Sequence, residues 1–513
     1  MNANASKVLV AGQWRESQTS SFFQAENPST GELLPMSYPV SSREEVMEAL
    51  RAGAEAAEEL RGAEPETVAK FLEACAAGIE ERAAELVEMA HAETALPKTP
   101  RLKDAELPRT VDQLRQAARA ARDGSWQRPV RDEAAKIYSV YAPLGGPVVV
   151  MGPNNFPFAF NSAAGGDFAA AIAARNPVIA KANTGHPGTT RLLAEIAFEA
   201  GRNGGLPASI IQLIYRTPRE TGLELAAHPL TGATAFTGSK EAGLQLKAAA
   251  DRAGKPIYLE MSSINPVVML EGALRERAEA IAGEFFTSCT AGTGQFCTNP
   301  GLMILPEGEW GERFTDAARR KFEAAAPGVL LGSGVREGLI KAVGVLRQHG
   351  ADVVCGGEPL PGPAARFANT ILRVPAQTFL SHPQELQTEA FGPVSLFVFC
   401  RDPQEMAMVV KNMAGSLTGT VYSHAGGADD AAYAMIEPPL RARVGRLLND
   451  KMPTGVAVSP AMNHGGPFPA TGHPGFTAVG LPASIQRFAA LQCYDNVRPQ
   501  RLPAALRPPA SAH

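Results

Sequence analysis

PVIAKANTGHPGTTRLLAEIAFEAGRNGGLPASIIQLIY, residues Pro177 to Tyr215, reads as a strand, a helix and a second strand. "PVIAKA" and "SIIQLIY" are short, rich in β-branched residues and bounded by Pro and Gly. Between them "TTRLLAEIAFEAGRNGG" repeats its apolar residues at helical spacing and ends on glycines. Strands joined through a helix in this way pair in parallel. The unit recurs on both sides. Upstream, "KIYSVYAPLG" and "PVVVMGP" are expected strands and "FAFNSAAGGDFAAAIAARN" an expected helix. Downstream, a short helix near Glu220 leads into "GATAFTGS", and a helix from Lys240 leads into "PIYLEM". This alternation predicts an α/β fold with a parallel sheet wound on both faces, which takes its ligand at the carboxyl ends of the strands.

The rest of the chain frames that unit. From Glu44 to Arg122 an Ala-, Glu- and Arg-rich region predicts antiparallel helices, and a second alternating region runs from about Asn265 to Pro453. "RFAALQCYDNVRPQRL" reads as a late strand followed by a Pro-rich tail on the surface. A chain of 513 residues is expected to form two large domains. With 19% charged residues and a formal net charge of −4 it carries no basic field for nucleic acid. No apolar run approaches the roughly 18 residues of a membrane span, and "MNANASKVLVAGQW" lacks a secretory pattern, so no membrane partner is expected. The cysteines at 75, 289, 297, 355, 400 and 493 form neither a disulfide framework nor a Cys-x-x-Cys pair, pointing to reduced thiols and a cytoplasmic location. The nine histidines lack the i, i+4 spacing of a helical zinc site, and no metal is expected.

Several motifs carry chemistry. "GQFCTNPG" holds Cys297, either a buried apolar filler or a nucleophile. "VVVMGPNNFPFAF" places Asn155 just beyond a strand, where its amide would suit an oxyanion. Lys181 ends a strand and could meet a ribose or phosphate. Thr237, Gly238 and Ser239 sit where a strand gives way to a helix whose amides attract a pyrophosphate. The Gly-x-Gly-x-x-Gly fingerprint is absent. Glu260 follows an apolar strand, so desolvation is expected to raise its pKa and suit it to act as a base. Glu389 and Phe391 in "TEAFGPV" could hold a sugar and a flat ring.

Taken in order, these motifs and the "NPSTGE" at Asn27 resemble the aldehyde dehydrogenase superfamily over almost the whole chain. "GQFCTNPG", "KANTGHPGT" and "HGGPFPAT" look like its branch of α-ketoglutarate semialdehyde and NADP-dependent fatty-aldehyde dehydrogenases. The resemblance implies a Rossmann-type coenzyme domain (1–122 and 143–260), an α/β catalytic domain (261–455) and a small β oligomerisation flap (123–142 and 485–505). "AAKIYSVYAP" and "FAALQCYDN" would form that flap in a homodimer or homotetramer.

It further implies Cys297 as nucleophile, Asn155 as oxyanion donor and Glu260 as general base. Lys181 and Ser239 would hold ribose and phosphate alongside Thr237 and Gly238, and Glu389 and Phe391 would position the nicotinamide end. Thr184, where NAD-preferring relatives often carry a carboxylate, implies NADP with NAD tolerated. The substrate would be α-ketoglutarate semialdehyde, with an aliphatic or fatty aldehyde as the alternative. A coenzyme-independent cysteine hydrolase and a silent structural homologue are further alternatives. Two departures stand out. Ser262 replaces a glycine beside the base, which could slow deacylation. Gly475 and Phe476 fall where an arginine would bind a substrate carboxylate, a charge that Arg109 or Arg115 could supply instead.

Overall fold

The computed structural model describes residues 5–507; residues 1–4 of the expected coenzyme segment and the end of the Pro-rich tail, 508–513, lie outside the described residues. Two seven-stranded sheets carry the architecture, with a three-stranded sheet and a hairpin beside them. In the first sheet, Val148–Met151, Val178–Lys181 and Ile211–Ile214 run side by side in parallel. Ala233–Thr237 and Ile257–Glu260 add in parallel on the other side of Val148–Met151. Val8–Val10 and Gln13–Arg15 extend the sheet antiparallel beyond Ile211–Ile214. Their three-residue length carries no readable periodicity, and the sequence did not announce them.

Helices cover this sheet as its pattern demands. Pro187–Asn203 begins with Pro and buries Leu192, Leu193 and Ile196. Arg43–Arg61 opens on a capping box, Ser42 accepting from the Glu45 amide while Glu45 reaches back to the Ser42 amide. The expected helix after the first strand is shorter than its composition suggested: only Gly166–Ala173 is helical. Residues 158–165 form turns, because Asn161 turns its amide onto Pro157 O and Thr190 Oγ1 and Gly165 packs against the Phe160 backbone.

The second sheet runs in the order Asp352–Cys355, Thr370–Pro375, Val394–Cys400, Leu302–Pro306, Pro266–Met269, Ser416–Tyr422, Val444–Asn449. It is parallel apart from its first pair. Phe285 stacks on Phe322 and meets Phe397 edge-on beneath it. Each such fully buried ring contributes about 2 kcal/mol.

Ala489–Asp495 pairs antiparallel with Ile137–Pro143, which pairs with Val130–Asp132. The tail beyond it is not wholly a surface segment: Leu502 and Leu506 are buried against Tyr138 and Val140. No helix among the described residues is long and apolar enough to cross a membrane.

Candidate active site

The order in which strands join the first sheet reverses between the parallel neighbours Val148–Met151 and Ala233–Thr237, so the connections that follow them part to opposite faces and leave a crevice at their carboxyl ends. A cavity of about 350 Å³ opens there. Its lining includes Thr237, Gly238, Ser239, Glu389 and Phe391 together with Asn155, Glu260 and Cys297. Lys181 and Thr184 are not among its lining residues. Lys181 ends the neighbouring strand, in register with Met151, and Thr184 is exposed three residues on.

Cys297 follows a tight turn, Ala291–Gly294, in which Gly292, Thr293 and Gly294 all take positive φ. A side chain at Gly294 would meet Gly392 O at 2.1 Å, so only glycine lets the cysteine loop lie against the Glu389–Phe391 loop. Asn265 Nδ2 donates to the carbonyls of Cys297 and Asn299, both at 2.9 Å, and fixes the other side of the turn. Asn155 Nδ2 donates to Gln295 O at 2.8 Å, leaving its second N–H for another acceptor. The loop bearing Asn155 is itself held. Arg101 donates through Nη2 to Asn155 O at 3.0 Å and pairs through Nη1 with the buried Glu106, whose Oε1 accepts from the amides of Phe158 (2.8 Å) and Ala159 (3.0 Å).

His464 is the residue that sequence reasoning missed. Its Nε2 lies 3.0 Å from Glu260 Oε1 and 3.6 Å from Cys297 Sγ, and its ring is buried. It arrives because the irregular segment after Pro453 runs back along the first sheet: Met261 N donates to Ala470 O, and Glu260 bridges Thr471. The only signal was "HGGPFPAT", whose resemblance carried no role for the histidine.

The imidazole also corrects the expectation for Glu260. Burial pushes this carboxyl up, but the His464 ring and the Cys297 thiol that hydrogen-bond it outweigh burial and hold it below the ordinary range. Glu260 Oε2 has no hydrogen-bond partner among the described residues. Cys297 moves the other way: burial, then the negative charge of Glu260, push its thiol well up. Cys289, by contrast, is fully buried away from the cavity and pushed to about 12 by burial.

Among the residues expected to hold the coenzyme, Gly238 has no room for a side chain against the Phe236 ring, and Ser239 caps the helix Lys240–Arg252. A helix N-terminus at the crevice is a fit for pyrophosphate. Glu389 is raised to about 7 by burial, while the Ser262 hydroxyl and Ser263 amide bond to it and oppose that rise. Ser262 is thus engaged with Glu389. Burial lowers Lys181, and Arg216, unnoticed in the sequence, adds to that by standing near it. Arg115 lies on the surface, paired with Glu80. Phe476 packs edge-on against Tyr258 in a smaller cleft that shares Thr237 and Glu260 with the first but lacks Cys297. Metal-type donors cluster at Glu260, Cys297 and His464 and at His349, His382 and Glu385, in each case within 4.8 Å. The first set includes Cys297, the expected nucleophile.

The model of the aldehyde dehydrogenase family matches residues 14–437. The α-ketoglutaric semialdehyde dehydrogenase 2 of Azospirillum brasilense is 39% identical over 498 residues, covering 94% of this chain and 93% of its own. An α-ketoglutaric semialdehyde dehydrogenase of Acinetobacter baylyi is 32% identical over 99% of this chain and 97% of its own. Among solved structures, the lactaldehyde dehydrogenase of Escherichia coli superposes with a TM-score of 0.82 at 20% identity, covering 96% of this chain and 98% of its own. A 3,6-anhydro-L-galactose dehydrogenase in complex with NAP gives the same TM-score of 0.82, at 20% identity, with 96% and 99% covered.

Proposed function

We propose, from the premise that this chain belongs to the aldehyde dehydrogenase family and is an NAD(P)-dependent enzyme, that it oxidises α-ketoglutarate semialdehyde to the dicarboxylic acid with NADP. The carrying observation is the single cavity lined by Cys297, Glu260 and Asn155. The semialdehyde is the substrate named for both full-length relatives. In this reading the first sheet serves the coenzyme and the second carries the nucleophile.

The chemistry follows from the groups in place. The Cys297 thiol, neutral at rest, gives its proton to the Glu260–His464 pair as its sulfur adds to the aldehyde carbon. Negative charge grows on the carbonyl oxygen. Two donors suit it: the second N–H of Asn155 and the Cys297 amide, which bonds to nothing else among the described residues. When bound, the nicotinamide supplies the acceptor for the hydride lost from that carbon. The thioester left on sulfur is attacked by water, from which Glu260 takes a proton while His464 holds the one the thiol gave; as the acid is released the sulfur leaves and takes back a proton from the pair, and the other passes to solvent.

NADP is favoured by charge. Lys181 and Arg216 make no ion pair among the described residues, and the neutral Thr184 leaves room for a 2′-phosphate. A carboxylate there would repel it. A second reading, an aliphatic aldehyde, draws on the apolar cluster of Phe156, Phe160 and Val479. Purified protein should reduce NADP with the semialdehyde and lose at least a thousandfold in kcat on Cys297→Ala. Turnover without coenzyme would make it a hydrolase instead, and inertness toward every aldehyde would leave a silent homologue. Thr184→Glu should raise the KM for NADP by ten- to a hundredfold, about 1.4 to 2.7 kcal/mol, and leave that for NAD unchanged or lower.

A further inference from the structure

Arg109 stands on the helix Leu107–Asp123 and points its guanidinium at the aromatic rings around the nucleophile. Its charged carbon lies 5.4 Å from the centre of the Phe160 ring and 6.0 Å from that of Phe156. Phe156 adjoins Asn155 and meets edge-on Phe296, which adjoins Cys297. Arg109 and Cys297 are close enough for each to feel the other's charge.

Arg109 differs from the other arginines buried near the site in what it is bonded to. Arg101 is paired with Glu106 and Arg487 with Asp167, and Arg446, without a carboxylate among the described residues, spends its Nη2 on the carbonyls of Pro453 at 2.8 Å and Gly455 at 3.0 Å. Arg109 has no carboxylate among the described residues. Its Nη1 donates to Val456 O at 2.7 Å, while Nε and Nη2 are buried and find no hydrogen-bond partner among the described residues. Leaving charged donors dry and unpaired is costly, so such an arrangement persists where an anion completes it. Nε and Nη2 form one edge of the planar guanidinium, the edge that receives both oxygens of a carboxylate side-on. The third nitrogen, tied to a backbone carbonyl, fixes the plane, and the two phenylalanine rings support it.

We propose that Arg109 is the specificity residue of this enzyme, receiving the carboxylate end of the substrate through Nε and Nη2 while the aldehyde end meets Cys297. This rests on the reading that the chain oxidises a carboxylate-bearing semialdehyde. It also resolves the departure at Gly475 and Phe476: the acid is met from the helical region before the first strand, and Arg115 takes no part.

The test compares α-ketoglutarate semialdehyde with pentanal, an uncharged aldehyde of equal carbon number, and uses glutarate as a competitive inhibitor of both. In Arg109→Met the KM for the semialdehyde should rise at least fiftyfold with kcat changed only a few-fold. The kcat/KM for pentanal should hold or improve, and inhibition by glutarate should vanish. Arg109→Lys keeps the charge without the two-donor edge and should fall between, which decides the matter should the Met variant not fold. Equal losses on both aldehydes would make Arg109 a support for the thiolate and overturn the assignment, as would unchanged kinetics. If the wild type prefers pentanal, the proposed substrate falls separately. Arg109 then keeps its role only if glutarate competes in the wild type and not in the variant.

Discussion

One nitrogen, Nε2 of His464, faces both a carboxylate and a thiol, and this decides how Glu260 titrates. As a base Glu260 works ionised, so activity should be lost as pH falls through its pKa. Burial raises that pKa and the imidazole lowers it, with the imidazole winning. In His464→Ala the burial that raises Glu260 loses its main opponent, and the acid limb of kcat/KM against pH should move to higher pH. An acid limb that stays in place would remove His464 from the proton path. Cys297, Asn155 and Glu260 could be picked out by eye because each sits in a compact local motif. The direction of the Glu260 shift could not, because its partner lies 204 positions further on.

The segment from Pro153 to Ala159 has little regular structure, and its shape is imposed from the neighbouring helix. Glu106, buried and ion-paired with Arg101, accepts two amides of this segment, and Arg101 holds the carbonyl of Asn155. Removing one member of such a pair leaves a charge uncompensated. Glu106→Gln should therefore lower stability by about 3 kcal/mol, read as a lower urea midpoint with an unchanged m-value, and reduce kcat about tenfold by freeing Asn155, the proposed oxyanion donor. A cost below about 1 kcal/mol would mean that the segment holds its own shape. Element types were readable here wherever apolar periodicity was strong, as in Pro187–Asn203. They misled where alanine and glycine suggested helix but side-chain hydrogen bonds took the backbone elsewhere, as in residues 158–165.

The three-stranded sheet has two faces with different fates. Tyr138 and Val140 are covered by the chain's own Leu502 and Leu506. The opposite face presents Val130 and Leu491, each 62% exposed, and Ile137 at 41%. Apolar residues beside open strand edges suit pairing with a second copy. Val130→Lys with Leu491→Lys should shift the mass measured by light scattering from oligomer to monomer at micromolar concentration. An unchanged mass would exclude this face from assembly. At this scale the alternation of strand and helix made both large sheets foreseeable. The antiparallel Val8–Val10 and Gln13–Arg15 were too short to read, and the course of residues 456–484 back to the first sheet has no periodic pattern at all. That late return has a consequence for biosynthesis. Until residue 464 leaves the ribosome, the nascent protein holds Cys297 without the imidazole, so in the proposed mechanism the thiol gains its proton acceptor only after a further 167 residues have been translated.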